Sequence, residues 1–364
     1  MILCANPLEQ YRSRKEEIDA AIRSVLEGGQ YILGRKVEEF EESFARYLDV
    51  SDCIGVGSGT EALHLALRAC GVGPGDEVIT VSHTAVATVA AIALTGAQPV
   101  FVDIEDEYLT LDPDRLESAL SERTKAIVPV HLYGHPVDLG PVLQVAERHG
   151  LTVVEDCAQA HGARCGGRKV GGCGHVGCFS FYPTKNLGAL GDGGAVVTGD
   201  GDLAGRVRSL REYGWSKGRL SDTEGWNSRL DEIQAAVLEV KLRYLEDDNL
   251  ARARIAQRYR KGLQDLDLRL PEVRRDSTHV YHLYVVRCER RNDLEAFMKG
   301  HGIGVLVHYP VPVHLQPAYR RCRVAGGGLP GTERAASEVL SLPIYPGLDD
   351  DSLESVIETI RSFG

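Results

Sequence analysis

The sequence has no long apolar run. Nothing in it approaches the ~20 residues that a membrane-spanning helix requires. The alanine-rich stretch Thr84–Leu94 is too short for that and reads as a buried helix. The opening MILCANPLEQYRSRKEEID turns charged at once and lacks the apolar core of a secretory leader, so a cytoplasmic protein is expected. Cysteine pairs are missing too. Nine cysteines, an odd number with no regular framework, point to reduced thiols rather than disulfides. Cys165, Cys173 and Cys178 lie near His161 and His175, but no CxxC pair is present and the spacing fits no common zinc pattern, so no metal is expected. Positive charge is in deficit: 41 Lys and Arg against 52 Asp and Glu leave a net −11. That argues against a general nucleic-acid binder but not against an anionic small molecule, which a local set of donors can hold.

What remains is ordinary in composition, with 43% apolar and 26% charged residues in 364. The 40 glycines imply tight turns and close backbone approaches. Short β-branched runs predict strands at Cys53–Val56, Glu77–Val81, Pro99–Val102, Ala126–Val130, Thr152–Val154, Cys178–Phe181 and Ala195–Thr198. Amphipathic stretches separate several of them. This predicts an α/β layer with a mostly parallel, seven-stranded sheet flanked by helices. A long helical pattern follows from about Leu230 to Leu263, and the remainder suits a smaller C-terminal α+β domain. The expected division is 1–245 for a large cofactor-binding domain and 246–364 for a small one. No internal repeat is visible.

Three segments carry chemistry. In VVEDCAQAHGA (153–163) an acid, Asp156, follows a strand, where ligands of open α/β sheets sit; a helix cap is the alternative use. In CFSFYPTKNLGALGDGGAVVT (178–198) a strand runs into a turn bearing Lys185 among aromatics and glycines, where a desolvated amine becomes a nucleophile or base. In GVGSGTEALHLAL (55–67) a Gly-Ser-Gly-Thr turn opens a helix whose free amides suit an anion. That turn is neither a Walker loop nor a dinucleotide fingerprint, since Ala62 stands where the third glycine is needed.

Taken in order, these segments resemble the fold-type I pyridoxal-phosphate enzymes, and more narrowly the DegT/DnrJ/EryC1/StrS sugar aminotransferases. The resemblance runs from GQYILG at 29–34 to LPIYP at 342–346. It implies a Schiff base between Lys185 and pyridoxal 5'-phosphate (PLP). It further implies Asp156 on the ring nitrogen, Gln159 on the ring hydroxyl, and Gly59, Thr60 and Ser180 on the phosphate. Asn227 would reach that phosphate across a homodimer interface. L-glutamate is the implied amino donor. HVYHLYVV (279–286) and HYPVPVHLQPAY (308–319) look like members acting on 3-keto sugars of dTDP, with Tyr182, His308 and Tyr309 lining the sugar pocket. One departure stands out: many relatives carry an aromatic residue where Ala85 stands, which leaves His83 or another group to cover the ring. Dehydratase relatives replace the lysine with histidine, so Lys185 argues for amino transfer.

Overall fold

The computed structural model describes residues 1–363. All seven expected strands form: Asp52–Val56 (β1), Glu77–Val81 (β2), Gln98–Val102 (β3), Thr124–Ile127 (β4), Thr152–Asp156 (β5), Val176–Ser180 (β6) and Gly194–Thr198 (β7). Most of their residues are buried, as strands covered on both faces must be. The sheet is one strand wider than expected. Tyr284–Arg287 (β8) lies elsewhere, but Arg323–Val324 (β9) pairs with Val100 and Phe101 and closes the β3 edge. The order is β1-β7-β6-β5-β4-β2-β3-β9. A two-residue strand has no period to read, which is why sequence patterning misses it.

Within this sheet β7 alone runs antiparallel to its neighbours, β1 and β6. The connection 181–193 contains no crossover helix, so the chain turns back beside the strand it has just left. That return leaves the loop bearing Lys185 at the carboxyl end of β6.

Helix Gly59–Ala69 (α1) follows β1 and is capped by Ser58, whose hydroxyl accepts from the Glu61 amide. Helix Val86–Leu94 (α2) follows β2 and buries Thr88, Val89, Ala91 and Ile92. The single helix expected over 230–263 is two, Glu232–Leu242 (α3) and Leu245–Leu263 (α4). No Gly or Pro marks the break. Its readable signal is the acidic first turn of α4, Glu246, Asp247 and Asp248, which favours a helix start. Arg14 lies 4.4 Å over the Tyr244 ring at the break, and the Tyr244 hydroxyl donates to Glu17.

The C-terminal part pairs β8 antiparallel with Val339–Leu342 (β10) and packs them with Tyr259, Met298 and Ile357. The N-terminus joins this part, since the Ile2 amide donates to Gly302 and the Gly304 amide to Ile2. A domain division at 245/246, which we keep as a proposal, is thus crossed by the first residues in one direction and by β9 in the other. No helix among the described residues is long and apolar enough to cross a membrane.

Candidate active site

The carboxyl ends of β1, β5 and β6 converge, the usual ligand position in an open sheet. At the end of β5, Asp156 is almost fully buried. One carboxylate oxygen accepts from the Thr88 hydroxyl at 2.8 Å and the other from the Ala158 amide at 3.1 Å. Thr88 in turn meets the Thr84 hydroxyl at 2.8 Å. Burial pushes the Asp156 pKa up, while Thr88, Ala158 and the positive charge of Lys185 pull against it. Lys185 shows the complementary effect: burial lowers its amine to about 8, and Asp156 opposes the fall. Part of the lysine side chain still meets solvent.

Three imidazoles face this pair and stay neutral. Burial, reinforced by the Lys185 charge, lowers His161 to about 3 and His308 to about 4, and drives His282 well down. His161 packs between Phe179 and Phe181. His282 Nδ1 meets the Asn186 amide oxygen at 3.2 Å, next in chain to the lysine. Patterning does not single out Thr88, His161 or His282. Each lies inside a motif already noted, but only the fold turns it toward Lys185 or Asp156.

An anion cradle faces the same space. A Cβ at Gly59 would fall 2.6 Å from the Ser180 Cβ, and one at Gly194 would fall 2.4 Å from the Ser58 carbonyl oxygen. Backbone therefore approaches where no side chain fits. With Ser58 serving Glu61, the first-turn amides of Gly59 and Thr60 stay open for a ligand beside Ser180. Gln159 is pinned: its oxygen accepts from the Tyr133 amide at 2.7 Å and its amide donates to the Tyr309 hydroxyl at 3.1 Å. The Tyr133 hydroxyl donates to the His308 carbonyl, and His308 Nδ1 meets Ser341 Oγ at 2.8 Å. His308 and Tyr309 thus join the group, although a small C-terminal segment carries them. Tyr182 and Asn227 are exposed, and their side chains make no hydrogen bond to it among the described residues. His83 is buried against Tyr133, its Nε2 2.8 Å from the hydroxyl, while Ala85 only opens α2.

Among the described residues the tightest ligand-type cluster is His131, Glu155 and Cys157. Its carboxylate and imidazole atoms are already committed. Glu155 accepts from the amides of Gly171, Cys173 and Gly174 and pairs with His131 Nε2, while His131 Nδ1 accepts from the Val137 amide. This is a saturated buried network that braces the strand beneath Asp156.

A desolvated amine, a buried acid and a helix-start cradle on one face match the aldehyde, ring nitrogen and phosphate of PLP. The family model for the DegT/DnrJ/EryC1/StrS aminotransferase family matches residues 12–361. The chain belongs to that family. This aminotransferase is 49% identical over 354 residues to the dTDP-3-amino-3,4,6-trideoxy-alpha-D-glucose transaminase of Streptomyces venezuelae, covering 97% of this chain and 93% of the relative. Its fold superposes on S. venezuelae DesV, solved in complex with a ketimine intermediate, with a TM-score of 0.97 and 48% identity, covering 100% of this chain and 98% of the other. Bacillus subtilis NtdA, solved with bound cofactor PMP, matches with a TM-score of 0.90 and 33% identity over 96% of this chain and 82% of the other. The aminotransferase is PLP-dependent.

Proposed function

We propose that this nucleotide-sugar aminotransferase takes its amino group from L-glutamate and delivers it to C3 of a keto-deoxyhexose carried on dTDP. The observation that carries the site reading is the desolvated amine of Lys185 opposite the buried carboxylate of Asp156. The relatives' specificities support the choice of sugar. In this reading Lys185 and Asp156 are catalytic. Gly59, Thr60 and Ser180 would hold the phosphate and Gln159 the ring hydroxyl.

When bound, PLP supplies an electron sink for the carbon that loses its proton. Asp156, ionised, holds the proton on the ring nitrogen, because an opposite charge a few ångströms away favours the charged form. Lys185, once free, would act as base and then acid, taking the proton from the substrate carbon that bears the nitrogen and returning one to the cofactor carbon on the other side of that nitrogen. Thr88 and the Ala158 amide keep the Asp156 carboxylate oriented. Tyr182, His308 and Tyr309 would line the sugar pocket.

A lysine must be neutral to attack an aldehyde, and at about 8 the folded amine is half neutral. Uptake of PLP by the cofactor-free enzyme is therefore expected to rise about tenfold per pH unit up to that point and then level off. Stopped-flow absorbance checks this; a profile that kept climbing past pH 9 would place the amine in ordinary solvent. The function itself is tested with a panel of dTDP- and UDP-keto-sugars against glutamate and other amino donors, the product located by NMR. Amination at C4, or no use of glutamate, rejects the corresponding part.

The proposed dimer gives the exposed Asn227 its role. Tyr31, Ile32, Tyr182, Leu190, Tyr213 and Leu220 are large apolar residues left in solvent by one chain, which suits a covered face. If Asn227 serves the partner's site, Lys185→Ala and Asn227→Ala chains should complement each other. In a mixed dimer one site carries both changes and the other neither. Assayed at limiting PLP, an equimolar mixture should recover about a quarter of wild-type sites, since about half the dimers are mixed. No recovery above the sum of the parents, with mixed dimers verified, would confine each site to one chain.

A further inference from the structure

Ser82 stands at the carboxyl end of β2, one residue before His83, and is 1% exposed. It makes three hydrogen bonds to one segment more than 200 residues away. Its carbonyl accepts from the Val313 amide at 3.1 Å. Its hydroxyl accepts from the His314 amide at 2.9 Å and meets His314 Nδ1 at 2.7 Å. The His314 ring continues to Glu333, with Nε2 3.3 Å from its carboxylate. Beside this contact Val313 is buried with Val89, Phe101 and Leu329.

The segment so gripped is a strap over the sheet edge. At its start are His308 and Tyr309, the latter bound by Gln159. At its far end is β9, paired with β3. Ser82 lies between these anchors, and its neighbour His83 contacts Tyr133, which holds the His308 carbonyl. Among the described residues, no hydrogen bond of the Ser82 or His314 side chain reaches Lys185, Asp156 or the phosphate cradle.

We infer that Ser82 is a positioning residue for the keto-sugar acceptor: through Val313 and His314 it sets the place of His308 and Tyr309. The inference rests on the reading that those two residues contact the sugar. Its hydroxyl serves two partners at once, so alanine releases the His314 amide and ring together. The consequence falls on the acceptor half of the cycle. A small amino donor, reacting next to Lys185, depends less on the strap.

The test uses Ser82→Ala and Ser82→Thr holoenzymes. In Ser82→Ala, KM for the keto-sugar nucleotide should rise about tenfold with kcat little changed, the mark of weakened binding rather than impaired chemistry. The glutamate-driven spectral change should stay within about threefold of wild type. Ser82→Thr, which keeps the hydroxyl, should restore much of the KM. Independently of any sugar, hydrogen exchange in residues 308–319 of Ser82→Ala should accelerate at least about fivefold over the same segment of wild type, with α1 and β5 unchanged. Unchanged exchange in the strap overturns the inference, as does an equal loss in both half-reactions. If wild type aminates no keto-sugar offered, the proposed function fails instead, and the exchange result still decides the role of Ser82.

Discussion

Replacing Lys185 with alanine is expected to lower turnover by about 10⁴-fold or more, because in the proposed mechanism one side chain both attaches the cofactor and moves the proton. The cradle at Gly59, Thr60 and Ser180 is untouched, so the variant should still bind PLP, but borohydride should fix none of it to the protein. Wild type should yield a single labelled peptide containing position 185. The fold should survive. An amine lowered from 10.5 to about 8 is harder to protonate folded than unfolded. It therefore costs stability, about 3 kcal/mol, fully below pH 8 and fading as pH rises toward 10.5. Alanine removes that cost, which offsets the packing given up with the methylenes. The cofactor-free variant should melt no lower than wild type at pH 7. Turnover persisting within tenfold of wild type would remove Lys185 from the mechanism.

Asp156→Asn is expected to lower kcat by about 10²–10³-fold, the scale of removing one preorganised charge interaction from a buried site. Asparagine keeps the shape. Its oxygen can still accept from the Ala158 amide, and Thr88 can turn its proton to Thr84, so the hydrogen bonds around the site close again. What disappears is the negative charge. In the proposed mechanism the ring nitrogen loses the partner that would hold its proton, and Lys185 loses the charge that opposes burial. The pH profile for PLP uptake should consequently move to lower pH than in wild type. That shift separates an electrostatic role from a structural one, because mere misfolding would scatter the profile rather than displace it. An unchanged kcat would show that another group manages the ring nitrogen.

Asp156 and Lys185 stand out as candidates because each lies at or just beyond the end of a buried strand, and the family resemblance of their segments then implies their roles. The seven main strands are readable as such buried runs, and the lysine loop carries enough specific residues to mark a family. The break at Arg243–Tyr244 leaves only the acidic first turn of α4 as a mark, because α3 and α4 both continue a helical composition and the turn is set by what packs on Tyr244. The two-residue β9 is silent. Thr88 reaches Asp156, His282 reaches Asn186 and His161 packs on Phe179 and Phe181, and no local pattern announces these meetings.

The sequence by itself determined the layer type, the order of the chemical segments and the two residues to which we assign amino transfer. These follow from the period of burial along the chain and from residues a few positions apart. The tertiary structure decided the rest. It depressed the Lys185 pKa, kept three imidazoles neutral beside it, seated Tyr309 on Gln159 and tied Ser82 to His314. Each of these depends on which groups lose water and which distant segments meet, and both are properties of the folded packing rather than of any local stretch.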